Sequence, residues 1–155
     1  MFGINDRLLD AAIVVIDRTH RVEHLGTDEL AGMLAGPEAP LLFDIRTAEE
    51  FEKSFIATAV RVDPDIGSEA FAARYGSIVA GCDLVFYCSV GHRSSELLER
   101  VESVCLNAGA KSCRNLRGGI FRWYNEGRTI VDGAGTTDDI HEHDPIWGMM
   151  VERRR

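Results

Sequence analysis

Three runs of strand-forming residues, each separated from the next by helical periodicity, restrict this chain to few folds. "PLLFDIR" carries a continuous apolar run ending in Asp44, "DLVFY" spans Asp83–Tyr87, and "KSCRNL" spans 111–116. The first two alternate little, which is the pattern of strands buried on both faces. After Tyr87, the residues Leu97, Leu98, Val101, Val104 and Cys105 fall on one helical stripe that stops at Asn107-Ala108-Gly109. Strands that alternate with helices pair in parallel and carry helices on both faces. The expected class is therefore α/β, with helices flanking a central sheet.

Local signals place the remaining elements. Ile4, Leu8, Leu9, Ala12 and Ile16 share a face, so the first twenty residues read as a helix capped by Asn5 or Asp6. A short strand is expected near Val22–Leu25. Thr27 then caps a helix that stops in the Gly36-Pro37 region. Thr47-Ala48-Glu49-Glu50 is a capping box, which starts a helix and turns Phe51 inward. Val60–Val62 reads as a strand, and Ser68–Tyr75 as a helix with Phe71 and Tyr75 on one side. "RGGIFRWYNEG" reads as a tight glycine turn into a helix whose Trp123 packs as core. Beyond about Thr129 the periodicity lapses, although "IWGMMV" is apolar enough to dock back on the domain. The division expected is an N-terminal helical extension over 1–21, one domain over 22–130 and a C-terminal extension over 131–155.

A chain of 155 residues, 45% apolar and 27% charged, is long enough for one α/β domain with a sizeable core. Its formal charge of −8 argues against a nucleic-acid surface, which needs clustered Lys and Arg. The one basic cluster, Arg153, Arg154 and Arg155, reads as a solvated chain end. No apolar run approaches the ~20 residues of a membrane span. "AAIVVI" is too short, and Asp6, Arg7 and Asp10 ahead of it do not make a secretory leader. A cytoplasmic protein without membrane association is expected. Four cysteines without a Cys-x-x-Cys pair make no disulfide framework. Cys105 and Cys113 read as small core residues, and Cys82 follows Gly81 in a turn. "HEHD" (His141, Glu142, His143, Asp144) has chelating residue types but reads as a polar tail, so neither a metal nor a cofactor is expected.

Cys88 is different. In "VFYCSVGHRSSELLERV" it ends a buried strand, and a six-residue loop is expected to lead into the next helix. Ligands of open parallel sheets sit beyond the carboxyl ends of the strands. The amides of a helix's first turn lack intrahelical partners, and the helix dipole adds about half a positive charge there. A loop with its amides turned inward is an anion cradle, and the same amides stabilise a thiolate. Gly91 lets such a loop curl with positive φ. Arg93 adds a fixed cation with a fork of donors.

"LLFDIRTAEEF", "VFYCSVGHRS" and "NLRGGIFRWYNEG", in this order, resemble the rhodanese-like sulfurtransferase domain, over roughly Val22 to Ile130. The resemblance implies a small α/β domain, three-layered, around a central, mostly parallel five-stranded sheet. It implies that Cys88 is the nucleophile and carries a sulfane sulfur as a persulfide. The amides of Ser89, Val90, Gly91, His92 and Arg93 would surround that sulfur, and Arg93 would bind the anionic oxygens of a donor such as thiosulfate. The acceptor would be a thiol or cyanide. Asp44 and Arg46 match the family's Asp-x-Arg and are taken as architectural, and Gly118 and Gly119 allow a tight turn under the loop. His92 could tune the thiolate or face solvent.

The chain departs from the family after "EEF", where "SFIATAV" replaces the usual glycine-histidine turn; none of those positions supplies the nucleophile. Two other readings share the same residues. One is a non-catalytic rhodanese-like binding or regulatory module, many of which lack the cysteine. The other is a cysteine phosphatase or arsenate reductase, whose loops set one more residue between Cys and Arg than Ser89, Val90, Gly91 and His92. Oligomeric state is open, as is the role of the N-terminal helix.

Overall fold

A computed structural model of the chain describes residues 3–154, so Met1, Phe2 and Arg155 of the two expected extensions lie outside the described residues. The chain runs α1 (Ile4–Thr19), β1 (His24–Leu25), α2 (Thr27–Ala35), β2 (Leu41–Asp44), α3 (Ala48–Lys53), β3 (Val60–Arg61) and α4 (Ser68–Val79). It continues with β4 (Asp83–Tyr87), α5 (His92–Asn107), β5 (Ser112–Leu116) and α6 (Gly119–Asn125). The tail, where the sequence periodicity lapses, holds a small hairpin, β6 (Ile130–Asp132) with β7 (Gly135–Thr137), and one helical turn, α7 (Pro145–Gly148).

The first five strands form one sheet in the order β1-β5-β4-β2-β3, and every neighbouring pair is parallel. This is the α/β fold expected, with β4 at its centre. The sheet side chains divide with period two, as a pleat requires. Leu42, Val85 and Tyr87 point to the face covered by α1, α2 and α6, where Leu9, Ile16, Leu30 and Phe121 complete one core. Phe43, Leu84, Phe86 and Cys88 point to the opposite face, against Phe71, Tyr75, Leu97 and Val101 of α4 and α5. Both faces of β4 are thereby sealed, which is why "DLVFY" carries no polar alternation. Cys105 and Cys113 are buried in the second core. The neighbouring Cys113 thiol and burial together push the Cys105 thiol up.

The helix starts correct three expectations. Gly3 and Gly26, not Asn5, Asp6 or Thr27, are the N-caps of α1 and α2, both in extended backbone and without a side-chain cap. Thr27 is instead inside its helix and donates its hydroxyl to Glu126. The helix after Cys88 starts at His92 with Gly91 as its N-cap, so three residues separate them instead of the six expected, and Arg93 lies in the first helical turn. The capping box of α3 is present, with both reciprocal bonds formed between Thr47 and Glu50. Its inward residue is Glu50, however, while Phe51 is half-buried and stacks on Phe55 with ring centroids 4.2 Å apart.

Candidate active site

Cys88 sits where β4 ends and α5 is about to begin, at the centre of the sheet's carboxyl edge. Gly91, at φ 116°, turns the chain in a left-handed step that a side chain would resist, and a Cβ there would lie 3.1 Å from Asn115 Nδ2. The turn brings the Gly91 amide to 3.2 Å from Cys88 Sγ, to which it donates. The carbonyls of Cys88 and Ser89 accept from the amides of Ile120 and Phe121 at 2.9 and 3.0 Å. Because a trans peptide sets C=O and N–H on opposite sides, the Ser89 and Val90 amides are held away from α6. Gly119, at φ 58°, makes this docking possible, since a Cβ on it would sit 2.5 Å from the Cys88 carbonyl oxygen. Gly119 is thus required by the approach of the loop above it, whereas Gly118, at φ 82°, is required by its own turn, where a Cβ would lie 2.6 Å from Arg122 Cβ.

A line of polar side chains reaches the sulfur from below. Ser94 Oγ lies 3.4 Å from Cys88 Sγ and donates to Asn115 Oδ1 at 2.6 Å, and all three residues are buried. The amide nitrogen of Asn115 is 3.0 Å from His24 Nδ1, and His24 Nε2 is 3.3 Å from the Asp17 carboxylate on α1. Burial lowers the His24 pKa against the pull of Asp17. The N-terminal helix therefore meets the site through a chain of polar contacts.

Arg93 does not stand as an isolated cation. Its guanidinium grips Glu50 with two parallel bonds of 2.6 and 2.9 Å, and a third bond of 3.0 Å goes to Ser89 Oγ, which itself donates to Glu50. Burial alone would push Glu50 up, but the Arg93 guanidinium, the Thr47 amide and the Arg46 charge overrule it and hold its carboxyl at about 2. The ion pair also raises the Arg93 pKa against its own burial. One carboxylate thus ties α3 to the loop and to the first turn of α5.

Asp44 and Arg46 lie apart from the sulfur. They make a second two-pronged pair of 2.8 and 2.7 Å, and Arg46 also donates to the Ser54 carbonyl at 2.7 Å. His92 is half-exposed at the edge of the site, 3.0 Å from His20 Nε2 and 3.3 Å from Glu96.

A cavity of about 80 Å³ opens over the sulfur, lined by Cys88, Ser89, Val90, His92, Arg93, His143 and Trp147. All the loop residues singled out in the sequence border it except Gly91, which supplies the amide. His143 and Trp147 come from the C-terminal segment; the sequence marks His143 only within "HEHD" and Trp147 only within the apolar run that can dock back on the domain. The sequence marks Glu50 only as a capping residue and does not single out Ser94 or Asn115. Among the described residues, no group of three or more His, Cys, Asp or Glu side chains is placed to hold a metal ion, His141 and His143 included. Nor is any helix among them long and apolar enough to cross a membrane.

Comparison with known proteins places this geometry. The rhodanese-like domain model matches residues 26–126. A sulfurtransferase of Allochromatium vinosum is 31% identical over 114 residues, which cover 74% of this chain and 99% of that protein. Among solved structures, a rhodanese-related protein of Thermoplasma volcanium superposes with a TM-score of 0.56 at 19% identity, over 70% of this chain and 97% of its own. A thiosulfate sulfurtransferase of Pseudomonas aeruginosa gives a TM-score of 0.58 at 17% identity, over 83% of this chain and 23% of its own. At those identities the two structures bear on the fold alone.

Proposed function

The chain belongs to the rhodanese-like domain family, and on that premise we propose that it moves a sulfane sulfur from a thiosulfate-like anion to a thiol or cyanide through a persulfide on Cys88. The observation that carries the proposal is the sulfur's position. It ends the central strand, accepts the Gly91 amide and borders a cavity with Arg93 on its wall.

In the first step the Cys88 thiolate attacks the outer sulfur of the donor. The donor's S–S bond breaks, sulfite leaves with the electron pair, and the new S–S bond leaves Cys88 with an anionic terminal sulfur. In the second step an acceptor anion takes that sulfur and the Cys88 thiolate returns. Both steps conserve charge, so the site must stabilise an anion throughout and need not move a proton. Preorganised amides suit that task, because they require no reorganisation when the charge shifts by one atom. Arg93, held by Glu50, offers its remaining N–H groups at a fixed angle to the donor's oxygens. Ser94 can turn its hydroxyl to the sulfur, and Asp44 with Arg46 keep the end of β2 in place beside the loop. The domain expected over 22–130 functions together with its flanks, because Leu9, Ile16 and Val151 belong to the same core as Tyr87 and Val90. Cysteine is the side chain best suited to such covalent traffic at neutral pH.

Thiosulfate and cyanide mixed with the protein should yield thiocyanate at a rate that Cys88→Ser abolishes. A protein that leaves thiosulfate unchanged would be better described as a binding module.

A further inference from the structure

The C-terminal segment is pinned at both ends and crosses the mouth of the cavity between them. Ile140 and Val151 are buried in the first core, at 1% and 3% exposure. Asn125 accepts from the Glu152 amide and donates to the Met150 carbonyl, both at 2.8 Å, and Asn5 donates to the Val151 carbonyl at 2.9 Å. Within the span, Asp144 caps α7 by accepting the Trp147 amide at 2.8 Å, which fixes where the indole can point. His143 Nδ1 is 3.6 Å from the buried Glu50 carboxylate, and its ring meets the Trp147 ring edge-on at 5.8 Å. Two walls of the cavity therefore come from a strap that is tied to the same carboxylate as Arg93.

The space left under the strap is small. A volume of about 80 Å³ admits a few water-sized groups, whereas pockets for drug-sized ligands measure roughly 300–1,000 Å³. The lining joins one cation and two imidazoles to the apolar faces of Val90 and Trp147. A compact anion of a few heavy atoms matches both the size and the charge. A sulfur carried on a peptide thiol is also anionic but does not match the size, since the peptide would have to pass Trp147.

We infer that His143 and Trp147 are specificity-determining residues: they confine the donor to a small inorganic sulfane anion and exclude persulfides borne on bulky thiols. This rests on Cys88 being the sulfur-accepting group, and it names the donor class for that reaction. The bond changes are those given above, with sulfite as the leaving group.

The test is the rate at which thiosulfate and glutathione persulfide each add one sulfur to Cys88, read by intact mass on the full chain. For the unaltered protein the inference expects thiosulfate to load at least about tenfold faster, and Trp147→Ala to shift the ratio toward glutathione persulfide by a similar factor. Trp147→Phe, which keeps an aromatic wall, should restore most of the preference if loss of the indole disturbs the strap. Ile146→Ala alters an outward side chain of the same turn, 74% exposed, and should leave the ratio unchanged. An unaltered protein that loads both donors equally, or a Trp147→Ala protein with the original ratio, overturns the size filter while Cys88 still takes up sulfur. If neither donor loads the unaltered protein, the sulfurtransferase reading falls and this inference with it.

Discussion

The molecule contains the same ion pair twice, and the two copies do different things. Arg46 with Asp44 and Arg93 with Glu50 are both two-pronged guanidinium–carboxylate pairs with bonds of 2.6 to 2.9 Å. The first is sealed, with both side chains at 0% exposure, and its extra contact is a backbone carbonyl that joins the end of β2 to the turn after α3. The second is open on one side, with Arg93 at 19% exposure and Glu50 at 1%, and its extra contacts are Ser89 of the loop and His143 of the strap. Pairing by itself therefore does not tell a structural arginine from one at a site. What separates them is whether one edge of the guanidinium faces a cavity that also holds a nucleophile.

The largest test of that contrast is Arg46→Ala. It leaves the Asp44 carboxylate buried without its partner, and such losses run to about 3–5 kcal/mol, so the denaturant midpoint should fall steeply. A loss under about 1 kcal/mol would mean that water reaches Asp44 and that the two pairs are not as different as their burial says. Arg93→Ala should destabilise less, because solvent from the cavity can hydrate Glu50, but it should slow sulfur loading by about 10²-fold. Arg93→Lys restores the charge without the fork and should remain slow.

The pH dependence of stability sharpens the same comparison. Glu50 titrates at about 2 in the folded chain against an ordinary value of 4.5. A depressed carboxylate contributes stability above its unfolded pKa and loses it as pH falls toward the folded one. The midpoint of urea unfolding should accordingly decline between pH 4.5 and about 2, and Glu50→Gln should flatten that decline. An unchanged slope in the variant would remove Glu50 from the account. The smallest effect expected is that of Ser94→Ala, which deletes one hydroxyl beside the sulfur and should slow loading by about fivefold, or about 1 kcal/mol. No change would mean that the amides alone hold the transferred sulfur.

Much of this was legible in the residues, and the parts that were not share physical reasons. The apolar runs at β2 and β4 predicted a sheet covered on both faces because only burial on both sides removes the alternation. Cys88, Gly91 and Arg93 stood out because their chemistry is unusual at the end of such a strand. Glu50 was hidden by a sufficient local explanation: its capping box accounts for the residue, yet the same carboxylate also receives Arg93. Asn115 carried a faint signal, a lone amide in a short central strand, but its partners His24 and Ser94 lie on β1 and α5 rather than nearby in sequence. The helix starts differ from expectation for a related reason. An N-cap needs extended or left-handed backbone more than it needs a hydroxyl, and Gly3, Gly26 and Gly91 supply that backbone. The apolar run around Trp147 signalled docking, but not that Trp147 and His143 would border the cavity, since their place is set by anchors at Ile140 and Val151 and by no period of their own.

The effects on loading depend on Cys88 taking up sulfur, and the intact mass of the protein after incubation with thiosulfate measures that directly. The account predicts one added sulfur on the full chain, removed by cyanide and absent from Cys88→Ser. An unchanged mass in the presence of excess thiosulfate, from a protein shown to be folded and to have its thiols reduced, would contradict it.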